Sequence, residues 1–251
     1  MSVKTNELPQ AAAMADSDSF VATTSQGTKR ISLSLLKQIC EKLFAPNGFG
    51  LGQSTGRPIP DNDFNNATEN GWFVCTGSES NGPAYLQPGQ TFGAILIVAS
   101  ARADLVKVQT LMLGTAGLQG LCLRRYYHNI QQTWQPWEWQ NPPLSPGTEY
   151  CTTERYNGKP VYTKLVVFGK LPNTTASSVA HGITSIETIV SVSGSTSDKK
   201  NIPTLNYGGG SSMDDVIDVL VDPTNVTIYA ARDRSNATAN VLIRYTKTAD
   251  E

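Results

Sequence analysis

The stretch TNVTIYAARDRSNATANVLIRYTK, residues 224–247, alternates apolar and polar side chains on both sides of a turn-rich centre. Val226, Ile228 and Ala230 share one face of an extended chain before the break, and Val241, Ile243 and Tyr245 share one face after it. The pattern predicts a long hairpin with these two apolar sets facing each other. Upstream, KPVYTKLVVFGKL (159–171), IETIVSVSG (186–194) and DVIDVLVD (215–222) carry the same β-branched enrichment between turn residues. Strands at this spacing, with no convincing long helix among them, predict a sandwich or jelly-roll-like β domain over 147–251.

Working back along the chain, Pro142, Pro143 and Pro146 mark a boundary. Before it lie GWFVCTG, GAILIVAS, VKVQTLML and GLCLRRYY, short β-rich runs that predict a second β domain over 71–146. Residues 46–70, dense in Gly, Pro and Asn, read as a linker or extended arm. Residues 1–45 hold two short strand candidates around the turn Ser25-Gln26-Gly27. A helix follows, with Ser32 or Ser34 as its cap and a stripe of Leu35, Leu36, Ile39, Cys40, Leu43 and Phe44. So short a helix is not stable alone, and its stripe needs another copy or another protein to cover it. The expected architecture is mainly β: a hairpin-helix anchor followed by two β domains.

Composition narrows the function. Of 251 residues, 39% are hydrophobic and only 16% charged, which leaves many Ser, Thr, Asn, Gln and Gly for exposed strands and turns. A net charge of −1 with no basic stripe argues against a nucleic-acid partner. The N-terminus lacks an apolar signal core, and the longest apolar run, GAILIVASA, is too short to cross a bilayer, so a soluble chain made in a cytosol and not inserted in a membrane is expected. Cys40, Cys75, Cys122 and Cys151 are widely spaced without a Cys-x-x-Cys pair and are expected to be buried free thiols.

Sites with chemistry are scarce. His128 and His181 are the only histidines, and neither lies beside a Gly-x-Ser-x-Gly elbow. Asp61, Asp63 and Asn65 are spaced like the start of a calcium loop. Asn66 stands where that loop needs glycine, though, and Trp72 where it needs a bidentate Glu, so an Asx-rich turn is expected and no metal. Gly208–Ser212 lacks the Gly-Lys-Ser/Thr of a phosphate loop. Asp214, Asp215 and Asp218, like Glu149 and Glu154, are close enough in sequence to be weighed as glycosidase pairs, but solvated surface acids are the expectation.

Three regions resemble phage structural proteins. Asn6 to Pro9, Asp16 and Asp18, Phe20 to Ala22, Gly27, and Lys29 to Leu36 resemble, in order, an N-terminal virion-attachment segment. The resemblance implies attachment through Asn6, Leu8, Pro9, Asp16, Asp18, Phe20, Leu36 and Ile39. Gly71-Trp72-Phe73, Asn81 and Pro83, Gly93 to Val98, Gln109, Arg125 and Tyr127, and Trp134-x-x-Trp137 resemble a pyocin-knob type of tail-fibre domain. Glu154, Gly158, Pro160-Val161-Tyr162, Leu171-Pro172-Asn173, His181-Gly182-Ile183 and Tyr245-Thr246-Lys247 resemble a C-terminal β domain of fibre and baseplate proteins, with a structural turn role implied for His181. Together these imply a virion fibre protein, exposed on the particle surface and trimeric, bound to another phage structural protein and displaying its β domains to a host-surface glycan.

QTWQPWEWQ (132–140) holds three of the four tryptophans. Trp134 and Trp137 match the knob positions and are expected in the core, their indole N–H groups bonded to backbone carbonyls. Trp139 lies outside that pair and is the candidate sugar-stacking platform, with Tyr126 and Tyr207 as further candidate sugar-contacting aromatics. No catalytic residue and no cofactor are expected. The rival readings are a head fibre or capsid decoration protein and, less favoured for want of a repetitive β-helix, a glycan-depolymerising enzyme.

Overall fold

The computed structural model of the chain describes residues 19–24, 27–43, 57–84, 93–102, 106–115, 117–204 and 216–248. Its elements are β1 (Ser19–Thr24), β2 (Gly27–Ser32), α1 (Leu33–Leu43), β3 (Arg57–Pro58), β4 (Gly71–Cys75), β5 (Ala94–Arg102), β6 (Val106–Leu113), β7 (Cys122–His128), β8 (Thr133–Trp134), β9 (Glu138–Trp139), β10 (Glu149–Tyr156), β11 (Lys159–Lys170), β12 (Ala176–Ala180), β13 (Ile186–Thr196), β14 (Asn201–Ile202), β15 (Ile217–Val221), β16 (Asn225–Ala230) and β17 (Thr238–Lys247). Mainly β structure with one α-helix among the described residues is what the periodicity predicts; two 3-10 turns, Pro60–Asn62 and Phe64–Asn66, complete the elements.

β1 and β2 form an antiparallel hairpin that leads into α1. The Ser32 hydroxyl accepts the Leu35 N–H at 3.1 Å, so Ser32 is the cap. Leu35 and Ile39 are exposed on the helix surface.

Eleven strands pair in the order β14-β13-β17-β11-β10-β9-β7-β6-β5-β4-β3, and β8 pairs with β7 beside them. The joint between the halves of this sheet is the parallel pair of β9 with β10, where Trp139 lies beside Thr152. The β10–β11 hairpin turns on Asn157 and Gly158, both with positive φ (49° and 80°), the backbone that matches the twist of paired strands.

The two halves are covered on opposite faces. In the first, Phe73, Leu96, Leu111, Leu123 and Trp139 lie in register across β4 to β9 and meet Ile59, Phe64 and Ala67 in a buried core that also takes Tyr150. The stretch 57–70, which reads as linker in the sequence, is therefore part of this half. Its three apolar anchors are buried, and Gln109 ties down its backbone, as described below. In the second half, β12-β16-β15 form a separate three-stranded sheet that packs against β11, β17 and β13.

Here residues 224–247 depart from a hairpin. β16 is the central strand of the small sheet, whereas β17 lies between β11 and β13 in the large one. Residues 231–237 arch between the sheets, held by Ala231 N–H to Val216 O (3.0 Å), Arg234 N–H to Pro172 O (3.2 Å) and an Asp233 turn that accepts the Ser235 N–H (2.9 Å). Val226 and Ile228 still face Val241, Ile243 and Tyr245, but across a core instead of within one sheet. β16 and β17 then each contribute an apolar face, and both sets are completely buried. Gly194 on β13 allows the closest approach in this half: a Cβ there would collide with the Asn240 carbonyl and the Ile202 side chain.

Candidate functional site

The knob-type motif closes around Arg125. β7 projects this residue into the first core, where its guanidinium lies over the ring of Trp134 at 4.8 Å and over that of Trp137 at 4.6 Å. Its Nε donates to Gln109 Oε1 (2.8 Å), and Gln109 Nε2 donates to the Phe64 and Ala67 carbonyls (2.6 and 2.9 Å). Trp134 Nε1 donates to Asn65 O and Trp137 Nε1 to Asn81 O, both at 3.2 Å. Phe64 meets Trp137 edge-on, and Tyr127 meets Trp134 the same way. Burial pushes the Arg125 pKa down to about 9, against the pull of the Asp63 carboxylate, which leaves the group cationic near neutral pH. The cluster is a structural staple that fastens residues 64–67 to the sheet; the indole N–H groups bond backbone carbonyls as expected, but both rings are half-buried, Trp137 packing against the edge of the core instead of within it.

Trp139 corrects the expected stacking platform. It is only 6% exposed, packed edge-on against Tyr150 with centroids 5.6 Å apart. It occupies the knob-core face of the sheet in register with Leu123, so no ring face is available to a sugar. Tyr126 is exposed, on β7, and Tyr207 lies outside the described residues. Asn6, Leu8, Pro9, Asp16 and Asp18 lie outside them too. Phe20 belongs to β1, while Leu36 is half-buried and Ile39 exposed on α1. Tyr229, which no motif in the sequence marks, is exposed in the middle strand of the small sheet, with Ala176 and Asp218 as its register neighbours.

The first half has a second apolar face, opposite its core. Val74, Ile95 and Met112 form one row across β4, β5 and β6, and Trp72, Ile97 and Thr110 form the next, which continues through Arg124 to Glu138. Val108 and Tyr126 form a third row with Ala99. Trp72 is 46% exposed and Ile95 40%.

The polar candidates are occupied by structure. His181 is buried; its Nδ1 accepts the Ile183 N–H at 3.0 Å, so Nε2 carries the proton and donates to Asp222 O at 3.0 Å. Asp63 accepts the Asn65 N–H (2.8 Å) and the Asn81 amide (2.9 Å), an Asx turn in the stretch weighed as a calcium loop. No cluster of potential metal ligands occurs among the described residues. Glu149 binds Lys247 Nζ (2.5 Å) and the Tyr245 hydroxyl, and Glu154 pairs with Arg244. Asp214 and Asp215 lie outside the described residues. Among the cysteines, Cys75, Cys122 and Cys151 are free thiols. Cys75 is buried, which pushes its pKa up to about 12, and the other two are half-buried. An open cleft of about 350 Å³ is lined by Pro146, Lys164, Val167 and His181, with Lys164 Nζ donating to Gly182 O (3.0 Å).

No family model matches the chain, and no curated protein does. Among solved structures it is similar to an N-truncated R2-type pyocin tail fibre, at 11% identity over 75% of this chain and 95% of that one, with a TM-score of 0.24. It is also similar to an R1 pyocin fibre of P. aeruginosa (12% identity, 87% and 71% covered, TM-score 0.26). A third is an R2 pyocin fibre of P. aeruginosa (9% identity, 86% and 70% covered, TM-score 0.26).

Proposed function

We propose that the chain is a non-catalytic fibre subunit of a phage-type particle. Its N-terminal segment joins another structural protein, and its β domains, in three copies, present weak glycan-binding surfaces to a host. The observation that carries this reading is the meeting of Arg125 with Trp134 and Trp137. The resemblance to a fibre knob rests on those residues, which are distant in the sequence, and they assemble into one stacked unit. Two further features support it. α1 leaves Leu35 and Ile39 uncovered, as a docking element does, and the weighed catalytic groups His181, Glu149 and Glu154 are held in bonds that leave no nucleophile–base pair. With Trp139 in the core, sugar contact falls to exposed rings, Tyr126 and Tyr229. Individually weak contacts gain from linkage of copies.

The test of attachment is complementation of a particle lacking the protein with a chain that starts at Gly48. The expected outcome is folded β regions and no incorporation; incorporation at the parent copy number rejects the N-terminal anchor. Release of new reducing ends from a host polysaccharide would reject the non-catalytic reading.

A further inference from the structure

We infer that the open face of the knob sheet, the one carrying Trp72, Ile95 and Met112, is the surface on which copies of this chain meet. The inference rests on the three-copy reading above and names its interface. An outward sheet face in a water-facing half alternates to polar residues. Here β4, β5 and β6 alternate from one apolar set to another, so the second set stays in solvent unless something covers it.

Two properties point to a twin as the occupant. The first is charge. The outward residues of β4, β5 and β6, from Trp72 and Val74 through Ile95 and Ile97 to Thr110 and Met112, carry no charge; Arg124 stands at the edge of this patch, and Glu138 opposite it is buried and paired with Arg155 at 2.5 Å. An uncharged apolar face of that kind matches an identical face and offers no net attraction to an acidic or basic partner. The second is size. Four strands at about 4.8 Å spacing and five residues at about 3.4 Å give roughly 300 Å² of face. A standard one-to-one interface takes roughly 800 Å² per partner. A patch this small holds best in a closed ring, where each copy touches two neighbours and the last contact is intramolecular. Three such sheets facing a common axis bury their apolar rows against one another. Tyr126, in the third row, then becomes an interface residue, and sugar contact shifts to Tyr229.

The experiment is light scattering on the full chain and three variants. Ile95→Asp and Thr110→Lys place a charge on the face. Leu220→Asp places one on the outer side of the small sheet, where Leu220 is 65% exposed. The expected result is a mass about threefold lower for the first two, with unchanged circular dichroism, and the parent mass for Leu220→Asp. A folded Ile95→Asp or Thr110→Lys at the parent mass overturns the inference and leaves the three-copy reading standing, whereas a parent chain of single-copy mass overturns both. A readout that needs no added charge compares acrylamide quenching of the parent with that of Trp72→Phe, which isolates the Trp72 signal. Shielding of Trp72 is expected, and quenching at the rate of an exposed indole overturns the inference even where the charged variants fail to fold.

Discussion

Tyr150 and Cys151 are consecutive on β10 and serve different cores. The ring of Tyr150 packs against Trp139 in the first half, while Cys151 points the other way and packs with Tyr162 against the core of the second. One strand thus forms part of the wall of both halves.

Trp139→Ala should therefore destabilise the chain by about 3–5 kcal/mol, the cost of a large aromatic removed from a packed core. Urea unfolding checks it. A fully stable variant with reduced cell-surface binding would restore Trp139 as a sugar platform.

Arg125→Lys tests the stacked cluster. Lysine keeps the charge but cannot fill the space between two indoles or reproduce the Nε bond to Gln109, so a loss of about 2 kcal/mol or more is expected. Unchanged urea stability would mean that the indoles hold residues 64–67 without the guanidinium.

The Asp63 turn sets a pH dependence. Burial alone would raise its pKa, but the Asn65 N–H, the Asn81 and Ser80 side chains and the Arg125 charge outweigh it and hold the pKa below the ordinary 3.8. A lowered folded pKa means that the folded state binds fewer protons than the unfolded one. This stabilisation is present above the unfolded pKa, about 3.9, and is lost as pH falls through the folded value. Asp63→Asn should flatten the fall in stability below about pH 4, measured as melting temperature against pH. An unaltered slope would assign the acid sensitivity to other carboxylates.

Gly194→Ala should cost about 1–3 kcal/mol or more, because the new methyl meets the Asn240 backbone, which is locked in the β13–β17 ladder, as well as the movable Ile202 side chain. A neutral effect on thermal melting would show that the ladder can open locally.

Residue periodicity made the faces legible but left the pairings open. Val226, Ile228, Val241 and Ile243 were assigned to the right sides by alternation alone, because side-chain direction is a local property of a strand. That β16 pairs with β12 and β15 instead of β17 depends on contacts between distant segments, about which alternation is silent. The tight turns are short and polar either way, so an arch between sheets reads like a hairpin loop. Residues 57–70 misled through their Gly, Pro and Asn content. The signal that they belong to the core is the trio Ile59, Phe64 and Ala67, too sparse for any regular period. Trp139 differs in setting from Trp134 and Trp137, as the motif implies, but its parity places it beside Leu123 in the core, a partner not evident from its sequence neighbours. The open knob face did leave a mark: GAILIVAS is a continuous apolar run where an alternating one was expected of a sheet with one wet side.

The central position of β17 has a consequence for timing. β11 and β13 are made well before β17, yet they do not pair with each other; β11 has β10 on one edge and β13 has β14, and the other edge of each finds its partner only in β17. During synthesis both must wait, unpaired along those edges, until residues 238–247 have emerged. The sandwich half is thus expected to close in one late step, with β17 as its keystone, while the knob strands β4 to β7 can already zip together as successive neighbours on the growing chain.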